Sequence, residues 1–332
     1  KLFNYALIAI IFLSISSFLF SKISNIYFLI FAIFLMRFSG QGLMSHTATT
    51  ATSRFFDKRR GKALSAIWFG LSSAEFILPI LIVFLMSIYS WKTVWQFISL
   101  ITVLVLPIVA YFTIKEITFD SRESFLSGSK KNLKKIKQWK RVEVLKDYRF
   151  YIICANMLAM PSIATGTFVY QSFILTSKNW GPYIIAQSFM SYSILSVVAL
   201  IFSGFLIDKF TSRKILIYMN IPLFFAAMVL YYFDNPFSSF VFFGLIGITN
   251  GLCNVLGSST WAEIYGVKYI GSIKALTTAL MVFATAFGTA LFGILIDTGF
   301  SIEQIAMFSG IYIFLSVFSL FLIRKRINPL II

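Results

Sequence analysis

The chain has 332 residues, 58% of them hydrophobic and only 12% charged, where a soluble domain carries about a quarter charged residues. That balance excludes a soluble globular protein and defines an integral membrane protein. The formal net charge of +17 would suit nucleic acid, but its placement along the chain argues against such a partner.

Ten apolar runs are long enough to cross ~30 Å of hydrocarbon at ~1.5 Å per residue. They lie near 4–20, 26–47, 62–88, 94–114, 150–175, 183–207, 213–233, 238–258, 271–296 and 302–323. Ten crossings put both ends of the chain on one side of the membrane. Of the 29 Lys and Arg, 25 fall on that side, Lys22, Lys92 and Lys178 fall opposite, and Arg37 lies within a run. The positive-inside rule then makes both ends cytoplasmic, in a multi-pass protein of the plasma (inner) membrane.

The chain opens at Lys1 and enters an apolar run at once, with no small-residue cleavage site behind a charged region, so no signal peptide is expected. The second run carries Arg37 near its middle, followed by Gly40-Gln41-Gly42 and by His46, the only histidine. An arginine there costs roughly 2.5–3.5 kcal/mol on insertion scales, and residues kept at that cost usually serve a solute or ion pathway. Gly40 and Gly42 predict one closely packed helix face. His46, near the cytoplasmic end, reads as a hydrogen-bonded or solvated side chain.

A basic hinge, Arg54 to Lys62, leads to the third run, which holds Glu75 in SSAEFILP. Glu75 is the candidate proton carrier, its pKa raised by desolvation if unpaired. Trp91 and Trp95 then mark the outer interface. Two arrangements of Arg37 and Glu75 are open. They pair, or Arg37 binds an anion while Glu75 carries a proton; the glycines beside Arg37 favour the second.

Residues 115–149 form the one long polar segment. Within 130–146, Leu133, Ile136, Trp139, Val142 and Leu145 recur every three residues among lysines, which predicts a basic amphipathic helix on the anionic inner leaflet. A solvated linker between two bundles is the compatible plainer reading. In the second half, Asn156, Pro161 and Gln171 interrupt 150–175, and Gln187, Ser188 and Tyr192 interrupt 183–207. Asn250, Gly251 and Asn254 interrupt 238–258. Such breaks mark helices facing water or substrate, although single Asn and Gln residues also serve as interhelical glue. Cys154 and Cys253 lie inside apolar runs and read as small core residues.

The loop GFLIDKFTSRK, 204–214, resembles the loop signature of the major facilitator superfamily, Gly-x-x-x-Asp-Arg/Lys-x-Gly-Arg-Arg/Lys. Gly204, Asp208, Lys209, Arg213 and Lys214 match it, while Thr211 and Ser212 stand where Gly and Arg are usual. RFSGQG is similar to the family's fourth-helix pattern. SRFFDKRRGKALS is similar to the loop before its fifth helix, and with the Glu-x-x-x-Pro that follows it resembles branches that handle anions or monocarboxylates. An internal repeat accompanies these, SRFFDKRRGKAL at 53–64 against AEIYGVKYIGSIKAL at 262–276.

The resemblance covers the whole chain. It implies an all-α two-bundle transporter, with ten transmembrane helices present of an expected twelve, read as family helices three to twelve. The opening hairpin and its Gly-x-x-x-Asp loop are expected upstream of Lys1. The implied divisions are 1–114, the remnant of the first bundle; 115–149, the cytoplasmic linker; and 150–332, the second bundle. The cavity-lining helices would carry Arg37, Asn156, Gln171, Asn250 and Asn254 as substrate contacts, Arg37 gripping a carboxylate through bidentate hydrogen bonds. The loop residues 204–214 would form a cytoplasmic latch that holds in one access state and breaks in the other.

The function expected is secondary transport of a small organic solute, an anionic carboxylate, by alternating access with proton coupling. The alternative is a proton-linked exporter of drugs or other amphipathic compounds. No cofactor or metal is called for, no nucleotide-binding loop is present, and the protein is expected to act as a monomer. An enzyme would need an acid/base or metal cluster that the sequence does not supply. A receptor or scaffold of transporter ancestry would be set apart by its failure to move solute.

Overall fold

The computed structural model describes residues 2–56, 59–115, 137–181 and 184–329; the side chains of Arg60, Glu75, Phe76, Pro79, Ile80, Val83, Ile185 and Ala186 also lie outside the described set. In chain order the helices are α1 (Leu2–Ser21), α2 (Ile26–Phe55), α3 (Arg60–Ile88), α4 (Trp91–Ile114), α5 (Arg141–Leu145) and α6 (Tyr148–Val169). They continue with α7 (Gln171–Ser177), α8 (Ile184–Phe210), α9 (Ser212–Tyr232), α10 (Pro236–Tyr265), α11 (Ile270–Asp297) and α12 (Ile302–Ile323). No strand occurs among the described residues. Nine of these helices have the length and composition of a membrane span, and α3, at 29 residues, has the length. The apolar runs therefore fold as membrane helices.

The chain divides into two compact units, one of residues 1–55 and 73–134 and one of 56–72 and 135–332. In the first, α1 packs on α4 through small polar residues. Ser14 Oγ donates to Ser99 O at 3.0 Å, and Ser99 Oγ donates back to Ser14 O at 2.8 Å. Ser16 and Ser39 meet at 3.0 Å between α1 and α2, both buried. Phe12, Phe31, Phe34 and Phe112 face outward. Apolar residues outside with small hydroxyls at the helix contacts is the order that a lipid solvent favours.

The second unit closes on glycine contacts. A Cβ added at Gly247 of α10 would sit 2.3 Å from Tyr192 O, and one at Gly251 2.4 Å from Ser196 O, so these glycines seat α10 on the α8 backbone. Neither α8 nor α10 is broken, which corrects the expectation of interruptions there. Of the three interrupted runs, only 150–175 is broken, at Tyr170 between α6 and α7. Pro161 sits inside α6 without ending it.

Toward one end of this unit, the ammonium of Lys178, its side chain fully buried, contacts Asp234 at 2.6 Å and Glu303 at 2.8 Å. That contact ties α7 to the α9–α10 turn and to the start of α12.

The lysine-rich segment departs from an amphipathic helix over its described part. Residues 137–140 are extended and α5 is five residues long. Trp139 and Val144 are buried in the core of the second unit, with the Trp139 N–H donating to Tyr265 O at 3.1 Å. Val142 and Leu145 alone of the expected stripe are exposed there, and Leu133 and Ile136 lie outside the described residues. Indole and valine gain more from the apolar core than from an interface, so the segment docks instead of lying flat. The Lys140 backbone N–H and the Lys137 ammonium hold the Glu143 carboxyl below the usual carboxylate range.

Candidate functional site

The loop at 204–214 is built on helix ends. α8 stops at Phe210 because Thr211 turns the chain with φ +76°, and α9 starts at Ser212. Position 211 is where the resembling signature has glycine, and the positive φ gives the physical reason. Asp208, half-buried in the last turn of α8, accepts from Gly61 N at 2.9 Å and Lys62 N at 3.3 Å. These N–H groups belong to the first turn of α3, where no intrahelical acceptor exists and the helix dipole favours an anion.

Gly61 is required at this contact. A Cβ there would lie 2.5 Å from Gly204 O and 2.9 Å from Asp208 Oδ1. One turn along, Ser65 Oγ donates to Leu200 O at 2.9 Å, and the Lys62 ammonium sits 4.6 Å from the Phe205 ring centre.

The basic residues of the loop do not pair with Asp208. Arg213 Nε meets Glu263 Oε1 at 3.0 Å, and Ser212 N donates to Glu263 Oε2 at 2.8 Å, with the Ser212 hydroxyl on the same oxygen. Glu263, near the end of α10, thereby caps α9. Arg213 Nη1 also donates to Asn328 Oδ1 at 2.7 Å. Lys209 lies beside the Phe210 ring, and Lys214 is exposed. Sequence reading missed Gly61, Ser65 and Glu263 as parts of this arrangement. The available signal for Glu263 was a lone acid at the end of an apolar run beside a basic loop.

Arg37 opens a π-helical stretch of α2, Arg37–Met44, in which the Ser45 N–H reaches back to Gly40 O. Such widened turns occur often at functional sites. The Arg37 side chain is exposed and donates to Gln41 Oε1 at 3.0 Å. The close-packed face of α2 is that of Ser39, not of the glycines: a Cβ at Gly40 would meet Leu13 at an ordinary 3.7 Å. That corrects the role expected of Gly40 and Gly42. The Glu75 side chain lies outside the described residues, so the structure gives no contact between it and Arg37. His46 is half-buried.

The four amide candidates all fall in the second unit. Asn156 is fully buried, and its side-chain oxygen and nitrogen have no partner among the described residues, while its backbone oxygen accepts from Asn220 Nδ2 at 2.5 Å. Asn250 donates to Ser196 Oγ at 3.0 Å across the α8–α10 contact, as interhelical glue. Asn254 is half-buried one turn further along α10, and Gln171 is half-buried at the start of α7. Among the described residues no three His, Cys, Asp or Glu side chains come together to hold a metal ion.

The described residues thus form a many-helix membrane protein with two of its loop charges engaged at helix ends: Asp208 on α3 and Arg213 on Glu263. The family follows from direct comparison. The model of the Major Facilitator Superfamily matches residues 4–191, more than half of the chain, and the chain belongs to that superfamily. It is a transporter and not an enzyme.

Among solved structures, the chain is similar to the proton:xylose symporter XylE bound to 6-bromo-6-deoxy-D-glucose, with a TM-score of 0.67 at 15% identity. It is also similar to a double-tryptophan variant of XylE, with a TM-score of 0.69 at 12% identity. Each alignment covers 98% of this chain and 80% of the other. At such identity the likeness shows the fold alone. No curated protein sequence matches significantly.

Proposed function

We propose that this transporter carries a small carboxylate anion by alternating access, Arg37 binding the anion and Glu75 taking up the coupling proton. Residues 1–114 and 150–332 serve as its two bundles, joined by the linker 115–149. The observation that carries the reading is Arg37: a guanidinium inside an apolar span, exposed at a π-helical widening, with a neutral amide as its hydrogen-bond partner. A cation with no counter-charge among the described residues in that setting is stabilised by an anionic solute, and a planar carboxylate matches its fork. Asn156, Gln171, Asn250 and Asn254 complete the substrate contacts. Asp208 on the first turn of α3 is the contact that holds one access state. Proton coupling is in keeping with the likeness to XylE, a proton:xylose symporter. The lysine and arginine asymmetry supports a chain with both ends cytoplasmic in the plasma (inner) membrane. In this reading it acts as a monomer.

The test is uptake of a monocarboxylate panel by the full-length protein in membrane vesicles under an inward proton gradient, with and without a protonophore. The expected result is gradient-driven accumulation that Arg37→Ala abolishes and for which Arg37→Lys raises KM at least tenfold. Wild-type uptake by Arg37→Ala would overturn the assignment. Extrusion of amphipathic dyes with no carboxylate uptake would replace it with a drug exporter.

A further inference from the structure

A groove of about 670 Å³ has a lining that belongs entirely to the second unit, with Leu206 and Phe210 of α8 on one wall. Lys214, at the start of α9, and Arg324, just past the end of α12, stand at its rim, both exposed. Neither has a carboxylate partner among the described residues. Arg324 lies over the Phe321 ring at 3.9 Å, whereas Arg213, also in the lining, is already neutralised by Glu263. The walls below are apolar, including Leu206 of α8, Tyr218 of α9 and Leu252 of α10.

The occupant must answer both halves of this surface. A free inorganic anion would satisfy the two cations and leave the apolar walls against water. A purely apolar guest would leave the cations unused. The walls run along helices long and apolar enough to span a membrane, and the cations sit at their termini, Lys214 at the start of α9 and Arg324 just past α12, where a spanning helix meets headgroups. Basic pockets between spans at that depth suit anionic phospholipid headgroups, and the volume lies in the range of small-molecule sites. We infer that the groove seats an anionic phospholipid, its phosphate on Lys214 and Arg324 and an acyl chain along Leu206, Tyr218 and Leu252. An occupant there braces the first turn of α9, which begins four residues after Asp208, and so reports to the loop that contacts α3.

The experiment uses purified full-length protein and native mass spectrometry to count dioleoyl phosphatidylglycerol retained per chain, with dioleoyl phosphatidylcholine and sn-glycerol 3-phosphate as separate arms. The Lys214→Ala/Arg324→Ala pair should retain one phosphatidylglycerol fewer and bind it roughly 30-fold more weakly. Leu252→Trp, which fills the groove and keeps both cations, should lose the same molecule. Removing two cations elsewhere, Lys22→Ala/Lys92→Ala, should leave retention unchanged. Phosphatidylcholine should bind alike in all variants, and glycerol 3-phosphate should not displace the lipid. Should the double alanine variant fail to fold, Leu252→Trp and the charge-keeping Lys214→Arg/Arg324→Lys pair decide the matter, the latter being expected to retain the lipid. Undiminished retention in Leu252→Trp, equal loss in the Lys22/Lys92 pair, or displacement by glycerol 3-phosphate would overturn the inference.

Discussion

Replacing Thr211 with glycine should stabilise the second unit. Thr211 holds φ +76° and ψ 144°, a region that is costly for a β-branched residue by about 1–3 kcal/mol. Its hydroxyl is buried without a hydrogen-bond partner among the described residues, and an unsatisfied group of this kind costs about 1–3 kcal/mol more. Glycine removes both penalties and adds about 0.5–1 kcal/mol of chain entropy to be lost on folding. The net gain is about 1–5 kcal/mol, and for a unit of this size each kcal/mol raises Tm by roughly 2–4 °C. The assay is tryptophan-fluorescence melting in detergent at one scan rate, since membrane proteins seldom unfold reversibly. Thr211→Val separates the two causes: it keeps the branched Cβ at the strained φ and deletes the hydroxyl, so it should recover the hydroxyl's share alone. A Thr211→Gly protein melting at or below wild type would refute the strain argument, and a Thr211→Val rise as large as that of glycine would assign the whole effect to the hydroxyl.

Asp208→Asn weakens two charge-assisted hydrogen bonds to the first turn of α3, so the access state that contains them should lose about 1–3 kcal/mol, read as faster labelling of a cysteine placed at position 65. Gly61→Ala should shift labelling in the same direction, because its Cβ cannot fit 2.5 Å from Gly204 O; opposite signs for the two variants would break the assignment. At the other contact, Asp234→Asn/Glu303→Gln leaves the buried Lys178 ammonium unpaired and should destabilise by about 3–5 kcal/mol. Lys178→Met, which leaves an exposed Asp234 and a partly exposed Glu303 reachable by water, should cost less than half as much, and melting curves showing the reverse order would refute the burial argument.

The membrane helices could be read from the chain because apolar length is a sufficient condition for them. The run 302–323 is α12, Ile302–Ile323, and 271–296 is α11 to within one residue at each end. What a single chain hides is which residues of one helix face which of another. Asn250 and Gly251 interrupt an apolar run and so read as a break facing water or substrate. Their partners, Ser196 and the α8 backbone, lie more than fifty residues earlier, and only that contact turns the glycine into the reason that α10 stays whole. Trp139 presents the same difficulty in a polar setting, where the lysine-rich pattern around it gives no sign of the Tyr265 carbonyl that receives its N–H.

The loop at 204–214 shows why the candidate site was legible only by half. A carboxylate followed by basic residues reads as a set of local charge pairs, since side chains are all that a sequence displays. The free N–H groups at the start of α3 are stronger competitors for Asp208, being fixed in place and aligned with the helix dipole, whereas Lys209 must give up side-chain freedom to reach it. Arg213 then goes to Glu263, which also satisfies the N–H of Ser212. The readable trace of the first contact was Gly61, a glycine among basic residues at the start of a helix, where a side chain would otherwise help helix formation. Its place is explained once Gly204 and Asp208 are seen against it: the residue is small so that another helix's carboxylate can reach the backbone.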